Sequence, residues 1–254
     1  MIFTDTHTHL YSSDFDADRP LVIKRAVDAG VNRFFIPAID SHHHKLMFAL
    51  EKNHQNMFLM MGLHPTSVKE NYKEELAIVE NYLNQRTFFA LGEIGIDLFW
   101  DKTFLKAQQD AFKTQIHWAK HYQLPIVIHC REAFDEVFEI LEDEKSSDLR
   151  GIFHCFTGTL AQAEKAVSYQ MKLGIGGVVT FKNGKIDQFL KAIPLNDLVL
   201  ETDAPYLAPS PYRGKRNESS YLTLVAQKLA EIYQVSIGDI AKITTQNSKD
   251  VFGI

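Results

Sequence analysis

The sequence predicts a (β/α)8 TIM barrel folded as a single domain over residues 1–254. Three observations predict it. Short apolar runs alternate with amphipathic stretches eight times without doubled strands, the pattern that builds a parallel sheet. The chain has 254 residues, close to the length of about 250 typical of one such barrel. Chemically capable polar residues follow many of the apolar runs. In a barrel the C-terminal strand ends converge on one mouth, whereas in an open sheet they spread along an edge.

The expected strands, in order, are Ile2–Thr4, Arg33–Pro37, Phe58–Gly62, Phe88–Gly92, Ile126–Ile128, Gly151–Phe153, Lys172–Ile175 and Leu198–Glu201. Each is a short apolar run. Of the helices between them, Lys106–Tyr122 is the clearest, with Ala107, Ala111, Phe112, Ile116 and Ala119 at helical spacing. Tyr221–Tyr233 and Ser236–Val251 read as closing helices. No Pro/Gly/Ser-rich linker, low-complexity segment or short-period repeat divides the chain.

Composition bounds the function. The chain is 45% hydrophobic and 23% charged, and no apolar run reaches the roughly 18 residues of a membrane span. The opening Met1-Ile2-Phe3-Thr4-Asp5 lacks a basic segment followed by an apolar one, so no secretory signal is expected. Cys130 and Cys155 are the only cysteines; they form no disulfide framework, and a cytoplasmic location is expected. The net charge of −5 argues against a long basic track for nucleic acid, so any such contact has to be local.

The first strand runs into Asp5-Thr6-His7-Thr8-His9. Residues two apart in an extended segment share a side, so His7 and His9 can reach one metal ion. Glu93, His129, His154 and Asp203 each close a further apolar run. Lone histidines beside strands are usually structural, but four histidines and two acids at strand ends are hard to explain that way. Six ligands exceed the needs of an open mononuclear zinc site and suit two divalent ions bridged by a carboxylate. Glu93 is the natural bridge, with His7, His9 and Asp203 on one ion and His129 and His154 on the other. The mixed donors leave Mg, Mn and Zn open.

These segments resemble the TatD family of metal-dependent deoxyribonucleases, over essentially the whole chain. The matching stretches are Asp5–Leu10, Gly62-Leu63-His64-Pro65, Gly92–Asp97, His129-Cys130-Arg131, His154–Gly158 and Glu201–Leu207. The resemblance implies hydrolysis of phosphodiester bonds in DNA; because a barrel mouth is too narrow for an internal phosphate of a duplex, exonucleolytic action on single-stranded ends is expected. Tyr206 falls inside the last matching segment and is expected beside the substrate. Many barrel amidohydrolases bridge their metals with a carbamylated lysine; here no lysine ends the corresponding strand, and Glu93 takes that place.

His64 is surplus to the metal shells; it is expected to touch substrate phosphate or assist proton transfer, with a structural role at the Gly62–Pro65 turn as the competitor. Glu201 is expected to orient His64 or another ligand. Arg131 is expected to pair with phosphate, against a salt bridge to Glu132. Arg213, Lys215 and Arg216 form a basic loop just past Asp203, expected to bind phosphates locally. Two features read as bland. The run His42-His43-His44 begins a helix, where neighbours point apart, and Cys130 and Cys155 are packing residues. The expected mechanism has metal-activated water, Asp203 as general base, and cationic stabilisation of the phosphoryl oxygens. The same metal core would serve another ester or an amide, such as an aminoacyl ester or a small phosphate ester. A non-catalytic metal- or partner-binding protein has no need of an open dinuclear site. No obligate protein partner is evident in the sequence.

Overall fold

The computed structural model describes residues 1–254. The strands are β1 (Phe3–Asp5), β2 (Val31–Ile36), β3 (Met57–Leu59), β4 (Leu91–Asp97), β5 (Ile126–Arg131), β6 (Gly151–Phe153), β7 (Met171–Ile175) and β8 (Leu198–Leu200). The helices are α1 (Arg19–Asp28), α2 (His44–Asn53), α3 (Tyr72–Gln85), α4 (Leu105–Tyr122), α5 (Phe134–Glu144), α6 (Leu160–Ser168), α7 (Leu222–Tyr233) and α8 (Ile237–Phe252). All strand pairs are parallel and sequential, in the runs β1-β2-β3 and β4-β5-β6-β7-β8.

Backbone hydrogen bonds join the two runs into a TIM barrel. Met61 N donates to Ala90 O at 3.1 Å and Gly92 N to Met61 O at 2.9 Å, linking β3 to β4. On the other side Thr6 N donates to Leu200 O at 3.0 Å and Asp203 N to His7 O at 2.9 Å. The buried Asp5 carboxylate reinforces that seam by accepting Thr202 Oγ1 at 2.6 Å and Thr202 N at 3.0 Å.

Alternation along the strands makes two cores. Phe35, Met60, Ala90, Val127, Ile152 and Val199 form an inner cluster, and Val251 and Phe252 from the end of α8 pack onto it. The Phe252 and Phe35 rings stack at 3.7 Å. The larger cluster of 59 buried residues lies between the strands and the helices. Two helices start on a capping box, Thr159 with Gln162 and Ser236 with Asp239, and α8 ends at Gly253 with φ of 77°.

Two expectations need correction. The fourth strand does not stop at Gly92; it continues to Asp97, and all seven residues of β4 are buried. Glu93 therefore sits inside a strand. The seventh connection also carries no α-helix: short 3-10 turns run from Gly177 to Asp197. The Gly176-Gly177-Val178-Val179-Thr180 start disfavours a helix. A Cβ on Gly177 would stand 2.0 Å from Leu207 O, so this backbone lies tight against the segment after β8.

Candidate metal centre

Glu93 lies at the centre of the site, 2% exposed. Its Oε2 is 3.1 Å from His7 Nε2 and 3.8 Å from His9 Nε2. Its Oε1 is 3.0 Å from His154 Nε2, 2.8 Å from His129 Nδ1 and 3.1 Å from His64 Nε2. Asp203 Oδ1 stands 3.4 Å from His9 Nε2 and 3.8 Å from His7 Nε2. The six residues read from the sequence as ligands thus converge from five strands or strand ends. Their donor atoms fall into the groups His7–His9–Asp203, His7–Glu93–His154 and His64–Glu93–His129. The His154 ring stacks on His7 at 3.8 Å and lies 5.8 Å from that of His129, so it stands between the two halves of the site.

Two of the imidazoles have their second nitrogen hydrogen-bonded, and a third has an acid beside it. His9 Nδ1 meets Tyr11 Oη at 2.9 Å and His129 Nε2 meets Asp97 Oδ2 at 2.8 Å, while His154 Nδ1 lies 3.2 Å from Glu201 Oε1 without a hydrogen bond. Such partners fix the ring and aim the opposite nitrogen inward. Glu201 therefore holds His154, not His64. The glycine at position 174 leaves room for it: a Cβ there would stand 2.2 Å from Glu201 Oε2. Asp97 escaped the sequence reading. Its signal was the alternation Glu93-x-Gly95-x-Asp97, which puts both acids on one side of β4 once that strand is seen to continue.

His64 is distinct. Thr66 N–H donates to its Nδ1 at 3.1 Å. Its Nδ1 also meets Thr66 Oγ1 at 2.7 Å, and burial pushes the ring's pKa down. Its Nε2 lies 3.1 Å from Glu93 Oε1, so the ring is held with Nε2 facing the centre.

Charge balance prepares the site for cations. Burial alone would push Glu93 up, but His64, His154 and His7 hold its carboxyl well below the usual range. Burial of Asp203 is likewise outweighed, by the His9 hydrogen bond and the charges of His154 and His7. His7, opposed by burial and by His154, is pushed down. Both its ring nitrogens are buried without a hydrogen-bond partner, although Nε2 lies against Glu93. An unpaired buried nitrogen costs roughly 1–3 kcal/mol. A divalent cation shared with the ionised Glu93 and Asp203 would remove that cost, so the donor set fits such ions.

The centre floors a cavity of about 950 Å³. Arg131 and Tyr206 line it. The Arg131 guanidinium lies 3.6 Å over the Phe99 ring instead of pairing with Glu132. The basic loop is not brought in: Arg213, Lys215 and Arg216 lie outside the lining. Arg216 is spent on Asp18 at 2.7 and 2.8 Å, and Arg213 stacks on Phe181 at 4.0 Å. Of the histidine run, His42 is exposed and His44 is buried. His43 faces the cavity, with Nδ1 held by Asp40 at 2.7 Å. Cys130 and Cys155 also border the cavity, and burial pushes both thiols up.

A family model described as TatD related DNase matches residues 4–253. The chain is 38% identical to the uncharacterized metal-dependent hydrolase YabD of Bacillus subtilis, over the full length of both. It is 29% identical to the 3'-5' ssDNA/RNA exonuclease TatD of Erwinia amylovora, covering 98% of this chain and 99% of that one. Among solved structures, the TatD homologue YjjV of Escherichia coli superposes with a TM-score of 0.94 at 31% identity, covering 99% of this chain and 98% of the other.

Proposed function

The chain belongs to the family of TatD-related DNases and is a metal-dependent hydrolase; on that premise we propose that it is a cytoplasmic deoxyribonuclease removing nucleotides from single-stranded DNA ends. One observation carries the reading. Glu93 turns its two oxygens toward different imidazole groups at the floor of a 950 Å³ cavity, the arrangement expected of a carboxylate shared by two divalent ions. No helix is long and apolar enough to cross a membrane.

His7, His9, Glu93 and Asp203 would hold one ion, and His129, His154 and Glu93 the other. Divalent ions held there supply Lewis acidity toward a phosphoryl oxygen and bring the pKa of water toward neutrality. Asp203 is ionised, and its side chain is 13% exposed, so it can accept a proton from the cavity side. His64 is held by Thr66 with Nε2 facing Glu93, placed to hydrogen-bond at the centre. Arg131 turns unpaired N–H groups toward an entering phosphate, and Tyr206 borders the entry. A duplex is too broad to lower an internal phosphate to this floor, whereas a strand end can enter.

The test compares end-labelled linear single-stranded DNA with its covalently closed circle. Metal-loaded protein should shorten the line and spare the circle, and chelation should stop the reaction until divalent metal is restored. Equal rates on line and circle would remove the requirement for an end.

A further inference from the structure

The loop after β4 is pinned at the cavity rim. Asp97 Oδ1 accepts the backbone N–H groups of Phe99 at 3.0 Å and Trp100 at 3.2 Å, while Oδ2 takes His129 Nε2. One carboxylate thus ties this loop to an imidazole of the metal centre. The loop then displays two large aromatic side chains, Phe99 46% and Trp100 70% exposed. Their rings meet edge to face at 4.9 Å. Arg131 covers Phe99 at 3.6 Å and comes within 5.4 Å of Trp100, its guanidinium paired with no carboxylate. Leaving a large apolar side chain in water forgoes about 1.5–3 kcal/mol of burial, and here the backbone is held so that the rings stay out.

Half a turn of the barrel away, after β8, Tyr206 is 55% exposed, its ring 5.9 Å from that of His9. Trp100 and Tyr206 both line the cavity that Glu93 floors. An open aromatic face beside an unpaired cation is what a nucleotide strand recognises. Bases stack on the ring, the guanidinium meets phosphate, and the contact tolerates any base because every base has a π-face.

We propose that Trp100, backed by the Phe99–Arg131 stack, is the stacking subsite for the nucleobase adjoining the phosphate that enters the metal centre. This rests on the nuclease reading above and gives it a source of selectivity. An unpaired strand offers a free base face, whereas a duplex has already used its faces on its own stack.

The test has a readout independent of turnover. Trp100 and Trp118 are the only tryptophans, so a Trp118→Phe background isolates Trp100 fluorescence. Metal-loaded protein is titrated with a phosphorothioate-linked thymidine oligonucleotide and with an abasic oligomer of equal length. Quenching should saturate with the base-bearing strand and be weaker with the abasic one. Stacking measured by alanine substitution is worth about 1–3 kcal/mol per base, so Trp100→Ala should raise KM for linear single-stranded DNA roughly tenfold or more. Its metal content should stay unchanged, and Trp100→Phe should recover most of the loss. Equal quenching by both oligomers, or an unchanged KM in Trp100→Ala, overturns the subsite while leaving the nuclease reading intact. Base-dependent quenching in a protein that degrades no DNA would keep the subsite and remove that reading.

Discussion

Replacing Glu201 with glutamine isolates the worth of a charge behind the metal centre. Glu201 is fully buried, its Oε1 3.2 Å from His154 Nδ1, and it accepts Cys155 N–H at 2.6 Å. Burial opposes the charged form of His154, yet Glu93 and Glu201 together hold its pKa well above the imidazole range. Glutamine keeps the shape and one acceptor oxygen for Cys155 but deletes the charge. Losing a partner behind a ligating histidine typically costs 10–100-fold in metal affinity, or about 1.4–2.8 kcal/mol. Competition between folded protein and a chromophoric chelator for a divalent ion should therefore show Kd for Glu201→Gln weakened by roughly ten- to a hundredfold. A Kd within about twofold of wild type, a difference of only ~0.4 kcal/mol, would show that Glu201 is packing rather than orientation.

Three further outcomes follow from the same geometry. Glu93→Ala should lose bound metal whereas Arg131→Ala keeps it, because only Glu93 touches every imidazole group; elemental analysis of the two variants decides, and normal metal content in Glu93→Ala would refute the bridge. Asp203→Asn should lower kcat by about 100-fold or more at full metal occupancy with little change in KM, as expected of a base acting in the chemical step; an unchanged kcat removes it from that role. The third concerns acid. Hydrogen bonds from Arg216 outweigh slight burial and pull Asp18 from 3.8 down to about 2. A depressed carboxylate adds stability that is complete above its unfolded pKa and lost as pH falls through its folded one. The urea midpoint of wild type should therefore exceed that of Asp18→Asn at pH 5 and approach it as pH drops from about 4 to 2; a gap constant across that window would exclude the Arg216 pair as its source.

The barrel and the convergence of the six candidate residues were legible because both depend on short-range periodicity. His7 and His9 are two apart in an extended segment, and His129, His154 and Asp203 each follow an apolar run, so alternation alone aims them at one mouth. What failed depends on long-range packing. Asp97 was hidden because the fourth strand was expected to end at Gly92; a Cβ on Gly95 would lie 2.0 Å from His129 O, so that glycine marks close approach of β5 within a continuing strand. The same limit applied to the missing seventh helix, where the backbone is shaped by Leu207, thirty residues later. His43 was dismissed as one of three residues fanning around a helix. That geometry is correct, but one of three divergent directions had to face the cavity, and Asp40 fixes that one.

The basic loop differs from its expected place for another reason. Sequence proximity to Asp203 puts Arg213, Lys215 and Arg216 near the mouth, but none of the three lines the cavity, and Arg216 is taken up by a carboxylate. Arg216 is claimed by Asp18, and Arg25 beside it by Glu218 at 2.6 Å, so this charge fastens the loop to α1. Meanwhile the floor of the cavity gathers carboxylates: Glu93, Asp203 and, just behind them, Asp97 and Glu201. On the proposed reading, phosphate approaching this floor meets negative side chains, so the neutralising charge would come chiefly from ions held at the centre, with Arg131 beside them. Few side-chain cations mean few counterions displaced on binding and a shallow salt dependence. Affinity for the rest of the strand then needs a source that does not scale with charge. On the proposed reading the aromatic faces of Trp100 and Tyr206 supply one, and a chain of net charge −5 would then need no basic track to act on a polyanion.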